Sequence, residues 1–311
     1  MILEVKNFRK VFDNCVAVDN LSFTLKTGEI TGFVGPNGAG KTTTMRIMAT
    51  LEQCDEGEML LNGVSTLEYP ENVRKQVGFV PDSLPLNNDI SIHEYLDFFA
   101  RAYGIKAPER QAHIEQLEEF TNIMGIRDKM LDNLSKGMKQ RVSIARALIS
   151  NPDFILMDEP AAGLDPRARI ELRELLKVLC EQGKGILISS HILTELSEIC
   201  TSTVIIEKGR LLKSGNIDKV IAETASSDKR VIQVKFLENS EGAHNHIILS
   251  PSVSDISAVG DSIEFAFSGT DEEAHLLLKD LIEKGFKVIS FNFKQQNLET
   301  VFMNITRGEV Q

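Results

Sequence analysis

A chain of 311 residues has room for about two domains, each large enough to bury its own core. Apolar residues at 42%, charged residues at 25%, 21 Gly and 9 Pro exclude a disordered or collagen-like chain. With 34 basic against 45 acidic side chains the net charge is −11, which repels phosphate backbones and anionic surfaces, so no nucleic acid is expected as a partner.

The opening Met1-Ile2-Leu3-Glu4-Val5-Lys6 reads as a strand and lacks the basic start and apolar run of a signal peptide. Short apolar strands then alternate with amphipathic helical stretches, the pattern of an α/β domain around a largely parallel sheet. Strands are predicted over 3–8, 21–25, 29–34, 58–61, 77–80, 154–157, 185–189, 203–207 and 210–213, with turns at Asn62-Gly63 and Lys208-Gly209. Between Pro81 and Asn133 the strand signal stops. Ile92, Tyr95, Leu96 and Phe99, then Ile114, Leu117, Phe120 and Met124, recur at helical spacing and predict an inserted helical subdomain over about 83–150.

A helix through Val220 leads into the polar stretch Thr224-Ala225-Ser226-Ser227-Asp228, which divides a domain over 1–223 from a smaller α+β domain over 224–311. The second domain reads as strands over 230–236, 261–267 and 288–293 with helices over 272–284 and 298–305. From Lys219 onward 9 basic and 14 acidic side chains keep it acidic too. His244 and His246 face one way if that stretch is extended, but without further ligands they read as solvated surface. Cys15, Cys54, Cys180 and Cys200 form no CxxC pair, which predicts neither disulfides nor a zinc site and fits a reducing cytosol. No apolar run reaches the ~18 residues a membrane span needs, so any action at a membrane goes through a partner.

Gly35-Pro36-Asn37-Gly38-Ala39-Gly40-Lys41-Thr42-Thr43 matches GxxxxGK[ST], with a strand before it and a helix after. Its glycines let backbone N–H groups close around phosphate oxygens, Lys41 supplies a full charge to the β and γ positions, and Thr42 holds Mg²⁺. Phe154-Ile155-Leu156-Met157-Asp158-Glu159 is a buried strand ending in two carboxylates. Asp158 can reach the metal and Glu159 can orient or deprotonate a water, if strand alternation turns them to opposite faces; acidic residues capping a strand are the plainer alternative. Leu134-Ser135-Lys136-Gly137-Met138-Lys139-Gln140 opens a helix with Ser135 as N-cap.

In this order the residues resemble the ATP-binding cassette family, whose LSGGQ signature lies ahead of the acidic strand and meets the nucleotide of a second subunit. The resemblance covers about Met1 to Gly215 and implies a P-loop NTPase fold of the ABC type, an α/β nucleotide-binding domain with an inserted helical subdomain. It implies ATP hydrolysis with Glu159, His191 and Lys41 as catalytic residues. Ala162-Gly163-Leu164-Asp165 resembles the D-loop linking two ATP sites, and His191 resembles the switch histidine at the γ-phosphate, although a strand-end structural histidine is the alternative. Phe12 resembles the adenine-stacking aromatic, or is a core phenylalanine. Lys136 departs from the first signature glycine and Met138-Lys139-Gln140 in part from the Gly-Gln stretch, while Ser135 and Gly137 remain to touch a nucleotide in trans. Asp82 stands where the family has Gln or Glu; one methylene shorter, it reaches Mg²⁺ directly or through a water. Ala161 replaces a hydroxyl residue neutrally.

Asn297-Leu298-Glu299-Thr300-Val301-Phe302 resembles the LEDVF-type ending of multidrug and antibiotic exporter ATPases, or is simply an amphipathic helix. The implied protein is a peripheral ATPase subunit on the cytoplasmic face of the membrane. Its expected partners are an integral membrane permease, contacted around 82–103, and a second ATPase subunit, identical or paralogous. A soluble cassette ATPase driving complex or cofactor assembly is the alternative; a DNA-repair or translation cassette is disfavoured by the short helical insert and the acidic charge.

Overall fold

The computed structural model describes residues 1–13, 15–66, 70–84, 89–190, 193–224, 230–238, 240–293 and 298–306. By packing, the chain divides into Met1–Val220 with Phe302–Gln311, and Ile221–Val301.

The first unit opens with β1 (Ile2–Phe12) and β2 (Cys15–Lys26), an antiparallel pair whose alternating burial turns one face inward. There follow β3 (Ile30–Val34), α1 (Lys41–Met48), β4 (Glu56–Leu61), β5 (Val64–Ser65), α2 (Pro70–Gln76) and β6 (Val77–Val80). The helical insert comprises α3 (Ile92–Ala102), α4 (Glu109–Phe120) and α5 (Lys136–Leu148). The chain then returns through β7 (Phe154–Met157), α6 (Pro166–Glu181), β8 (Gly185–Ser189), α7 (Leu193–Ser197), β9 (Ser202–Glu207), β10 (Arg210–Asn216) and α8 (Ile217–Thr224).

Two sheets result, β2-β1-β4-β5 and β10-β9-β3-β8-β7-β6. In the second sheet β6, β7, β8, β3 and β9 run parallel and β10 closes the edge antiparallel. Strands β3, β7 and β8 are buried at every position, as expected where a parallel sheet is covered on both faces, and their sequences are accordingly apolar apart from Thr31 and Ser189. A single apolar cluster joins the two sheets through α1, whose Met45 and Met48 are fully buried beside Phe8, Phe33 and Phe154. In the insert, α3 begins at a capping box: Ser91 Oγ accepts from the Glu94 N–H, and Glu94 Oε2 accepts from the Ser91 N–H at 2.8 Å.

The second unit is β11 (Arg230–Phe236), α9 (Ser240–Ile247), β12 (Val253–Val259), β13 (Ser262–Phe267), α10 (Asp271–Glu283) and β14 (Val288–Phe293). The last helix, α11 (Leu298–Ile305), crosses the division between units. The strand order β12-β13-β11-β14 with every pair antiparallel is the β-α-β-β-α-β arrangement of a ferredoxin-like unit. Its core is Ile232, Val234, Phe236, Ile263, Phe265 and Phe267 against Ala243, Ile247, Leu277 and Leu281 of the two helices. His244 and His246 therefore lie on helix α9, not on an extended segment, and two residues apart they do not share a face. His246 Nε2 instead meets Asp280 Oδ2 of α10 at 2.5 Å.

Candidate nucleotide site

Strand β3 delivers the chain to the loop 35–43 at the carboxyl end of the parallel sheet, where open α/β folds bind ligands. Gly38 and Gly40 take φ of 80° and 95°. A Cβ at Gly40 would fall 2.3 Å from the Ala17 carbonyl oxygen, and one at Gly35 2.5 Å from that of Ile206, so the loop is pressed against β2 and β9. The Ala39 N–H donates to the Pro36 carbonyl at 3.1 Å and the Ala39 carbonyl accepts from the Gly209 N–H at 3.0 Å. Asn37 and Gly38 complete the turn. Helix α1 begins at Gly40 with no side chain capping it, which leaves the N–H groups of Lys41, Thr42 and Thr43 without intrahelical partners. These donors, with the positive end of the helix, form a cradle suited to phosphate oxygens.

Lys41 is 7% exposed, and its ammonium donates to the Gly35 carbonyl at 2.7 Å and the Pro36 carbonyl at 3.1 Å. Burial pulls it below the ordinary lysine range, and the Glu159 and Asp158 carboxylates act against that shift. A buried ammonium folded onto neutral carbonyls gains a full counter-charge when a phosphate enters.

Asp158 follows β7 and is buried; its N–H donates to the Val80 carbonyl at 2.9 Å, one residue beyond the β6–β7 pairing. Its Oδ2 accepts from Thr42 Oγ1 at 2.7 Å and its Oδ1 from Ser189 Oγ at 2.8 Å. Ser189 Oγ in turn accepts from the Glu159 N–H at 2.8 Å. Glu159 takes φ of 47°, the left-handed region, so strand alternation does not divide the two carboxylates. The strand ends at Met157, and Glu159 is a left-handed residue whose N–H is fixed on Ser189 Oγ. Thr42 Oγ1 and Asp158 Oδ2 are neighbouring hard oxygens, the donor set Mg²⁺ prefers.

The other sequence-selected residues lie elsewhere. Phe12 ends β1 at 44% exposure, with Lys10 Nζ 5.1 Å from its ring centroid; it is not a core residue. Asp82 is exposed just beyond β6. Ser135 caps α5 by accepting from the Met138 N–H at 3.3 Å, with Gly137 in the first turn. Asp165 caps α6 by accepting from the Ala168 N–H at 2.9 Å. Among the described residues, no hydrogen bond or ion pair joins Ser135, Gly137 or Asp165 to the phosphate loop. His191 lies outside the described residues. Ser189 escaped the sequence reading, although a hydroxyl ending the apolar run Ile186-Leu187-Ile188 was its signal.

A phosphate cradle with its buried lysine after β3 and an Asp-Glu pair after β7, at the carboxyl ends of two parallel strands flanking β8, define a P-loop ATPase, and the family comparison narrows the class: residues 18–162 match the ABC transporter family. The chain belongs to that family and is the ATP-binding, ATP-hydrolysing subunit of a transporter. It is 33% identical over 310 residues to the Nod factor export ATP-binding protein I of Cupriavidus metallidurans, covering 100% of this chain and 99% of that one. The protein of the same name from Burkholderia thailandensis is 33% identical over 309 residues, covering 99% and 98%. A solved ATP binding subunit of an ABC transporter superposes with a TM-score of 0.65 at 31% identity, over 72% of this chain and 93% of that one. CbiO1 from Clostridium perfringens, part of the ABC transporter complex cbiONQ, superposes at 0.63 with 27% identity, over 71% and 90%.

Proposed function

We propose that the chain works as one half of a head-to-tail ATPase pair that drives export through an integral membrane permease from the cytoplasmic face of the membrane. The observation that carries this reading is the Thr42–Asp158–Ser189–Glu159 network beside buried Lys41 at the uncapped start of α1. The loop N–H groups and Lys41 hold the phosphates, and Phe12 offers its exposed ring to the adenine. Mg²⁺, which Thr42 and Asp158 would hold with Asp82 reaching it directly or through a water, would supply charge neutralisation on the phosphate oxygens. Glu159 takes the proton of the attacking water, with His191 at the γ-phosphate. Ser135, Gly137 and Asp165 serve the nucleotide of the second subunit.

Closure of the pair passes motion to the permease through the helical insert. A groove of about 360 Å³ lined by Leu51, Arg74, Phe79, Phe99, Tyr103 and Arg146 supports that docking. No described helix is long and apolar enough to cross a membrane, which leaves the pore to another chain. The direction of transport rests on the export proteins to which the chain is similar and on the LEDVF-like α11. Residues 1–223 are the proposed ATPase domain and 224–311 an accessory domain.

The test is affinity purification of the Glu159→Gln chain from detergent-solubilised membranes with ATP and Mg²⁺. A stoichiometric multi-span partner is expected, with turnover down ~10²-fold or more. Recovery of soluble partners alone would move the assignment to an assembly ATPase.

A further inference from the structure

Strand β1 loses one of its two neighbours before it reaches Phe12. Its pairing with β4 ends at Arg9↔Glu56, while that with β2 runs on to Phe12↔Cys15. The register with β2 also shifts between Phe8 and Lys10 and again between Lys10 and Val11, so a regular ladder does not set the direction of Phe12. A two-stranded ribbon alone is marginal in water. Asp55, the residue before β4, makes up the difference. Its N–H donates to the Arg9 carbonyl at 2.9 Å, and its Oδ2 accepts from the Val11 N–H at 2.6 Å, so a carboxylate takes the place of the next ladder carbonyl. Its Oδ1 accepts from Lys10 Nζ at 3.2 Å, and Glu52 Oε1 lies 3.3 Å from the same ammonium. The Val11 N–H first, and Lys10 after it, hold the Asp55 carboxyl below the ordinary aspartate range, so both bonds are charge-assisted at neutral pH. Lys10 is buried, and its Nζ stands over the Phe12 ring at 5.1 Å from the centroid. The cation takes one face of that ring, which leaves the other to a planar ligand.

We propose that Asp55 is a positioning residue for the nucleotide base: through the Val11 N–H and the Lys10 ammonium it fixes the end of β1 from which Phe12 presents one face of its ring. The inference rests on the adenine reading of Phe12 above. Asp55 touches neither base nor phosphate. It acts on affinity by holding the ring still before the base arrives, so that less order has to be imposed on binding.

The test compares two ligands on the full chain without Mg²⁺: ATP, and inorganic tripolyphosphate, which engages the phosphate loop but carries no base. Stacking on an aromatic side chain is worth about ten-fold in affinity or more, so Phe12→Ala should weaken ATP by that factor, and Asp55→Ala, which frees the ring without removing it, by about five-fold. Tripolyphosphate affinity should hold in both variants. In the Phe12→Ala background, Asp55→Ala should change ATP affinity by less than about two-fold, because the ring it positions is gone. ATP affinity unmoved by Asp55→Ala overturns the role. So does an equal loss for ATP and tripolyphosphate, or a full five-fold loss in the Phe12→Ala background, since either would make Asp55 a support of the fold alone. If Phe12→Ala itself leaves ATP affinity unchanged, the adenine reading falls, and this inference with it.

Discussion

Ser189→Ala removes one oxygen from the centre of the proposed hydrolytic network. The residue is fully buried, and its hydroxyl both donates to Asp158 Oδ1 and accepts from the Glu159 N–H. Losing a bond to a carboxylate costs ~1.5–3 kcal/mol, and a buried N–H left without an acceptor adds to that, so about 3 kcal/mol of folding stability is at risk. In a unit of this size that is a fall of roughly 6–12 °C in Tm. The catalytic loss is larger. Glu159 sits at φ 47°, a conformation costing ~1–3 kcal/mol that persists only where its surroundings enforce it, and the bond to Ser189 is part of that enforcement. Once released, a carboxylate misplaced by ~1 Å loses ~10²-fold in rate. The loop and Lys41 are untouched, so ATP affinity measured without Mg²⁺ should hold while kcat falls. Steady-state ATPase assays, a nucleotide titration and a melting curve on one preparation decide the matter. Near-wild-type kcat with an unchanged Tm would refute the reasoning, because it would show that the network fixes neither the fold nor the base.

Gly40→Ala combines φ of 95° with a Cβ 2.3 Å from the Ala17 carbonyl, so it should lower Tm and weaken ATP binding more than ~10-fold; wild-type affinity in a titration would mean the loop is not pressed on β2 as described. Lys41 is held below the ordinary lysine range by burial, and an arriving phosphate raises it, so ATP binding should take up protons on the alkaline side and affinity should fall as pH rises through the free-state value. The sign for stability without nucleotide is opposite: the charged form is penalised in the fold, and that penalty fades as pH rises towards the unfolded lysine value. Calorimetry in two buffers of different ionisation heat tests the linkage, and identical heats at alkaline pH would contradict it. Cys15 is exposed opposite Phe12 in the β1–β2 register, whereas burial pushes the Cys200 thiol far up. A maleimide should label Cys15 first, more slowly with ATP present, and Cys200 last; labelling of Cys15 indifferent to ATP would remove Phe12 from the adenine site.

What the sequence discloses depends on how far apart the interacting residues lie along the chain. The phosphate loop is contiguous, so its glycine spacing is enough to define it, and the parallel strands β6 and β7 announce their limits as unbroken apolar runs. The second unit was only partly legible. Ser240–Ile247, with two histidines and little helical periodicity, does not advertise α9. In β12 the alternation is broken at Asp255, whose φ is 50° and where the pairing with β13 slips between Ser254 and Ser257. Without α9 and β12 the remaining elements cannot be recognised as a ferredoxin-like unit. Ser189 meets Asp158 across 31 positions of chain, and no local pattern encodes that bond.

The same separation explains why strand alternation does not describe Asp158 and Glu159, since β7 ends at Met157 and Glu159 is left-handed. Three parallel strands each contribute one group at their carboxyl ends: β3 the phosphate loop, β7 the two carboxylates, β8 the serine. The ladder sets their heights, since Phe33 pairs with Ser189 and Met157 with Ile188. A one-residue slip of β8 would carry Ser189 off the carboxylate and replace its hydroxyl with Ile188 or Ser190 pointing to the opposite face. The apolar cores of β3, β7 and β8 forbid that slip because every residue in them is buried. The packing that makes these strands look chemically empty is therefore what holds Asp158, Glu159 and Thr42 within bonding distance of one another's partners. A mutation that loosens the ladder, remote from any nucleotide, should lower kcat before it lowers ATP affinity.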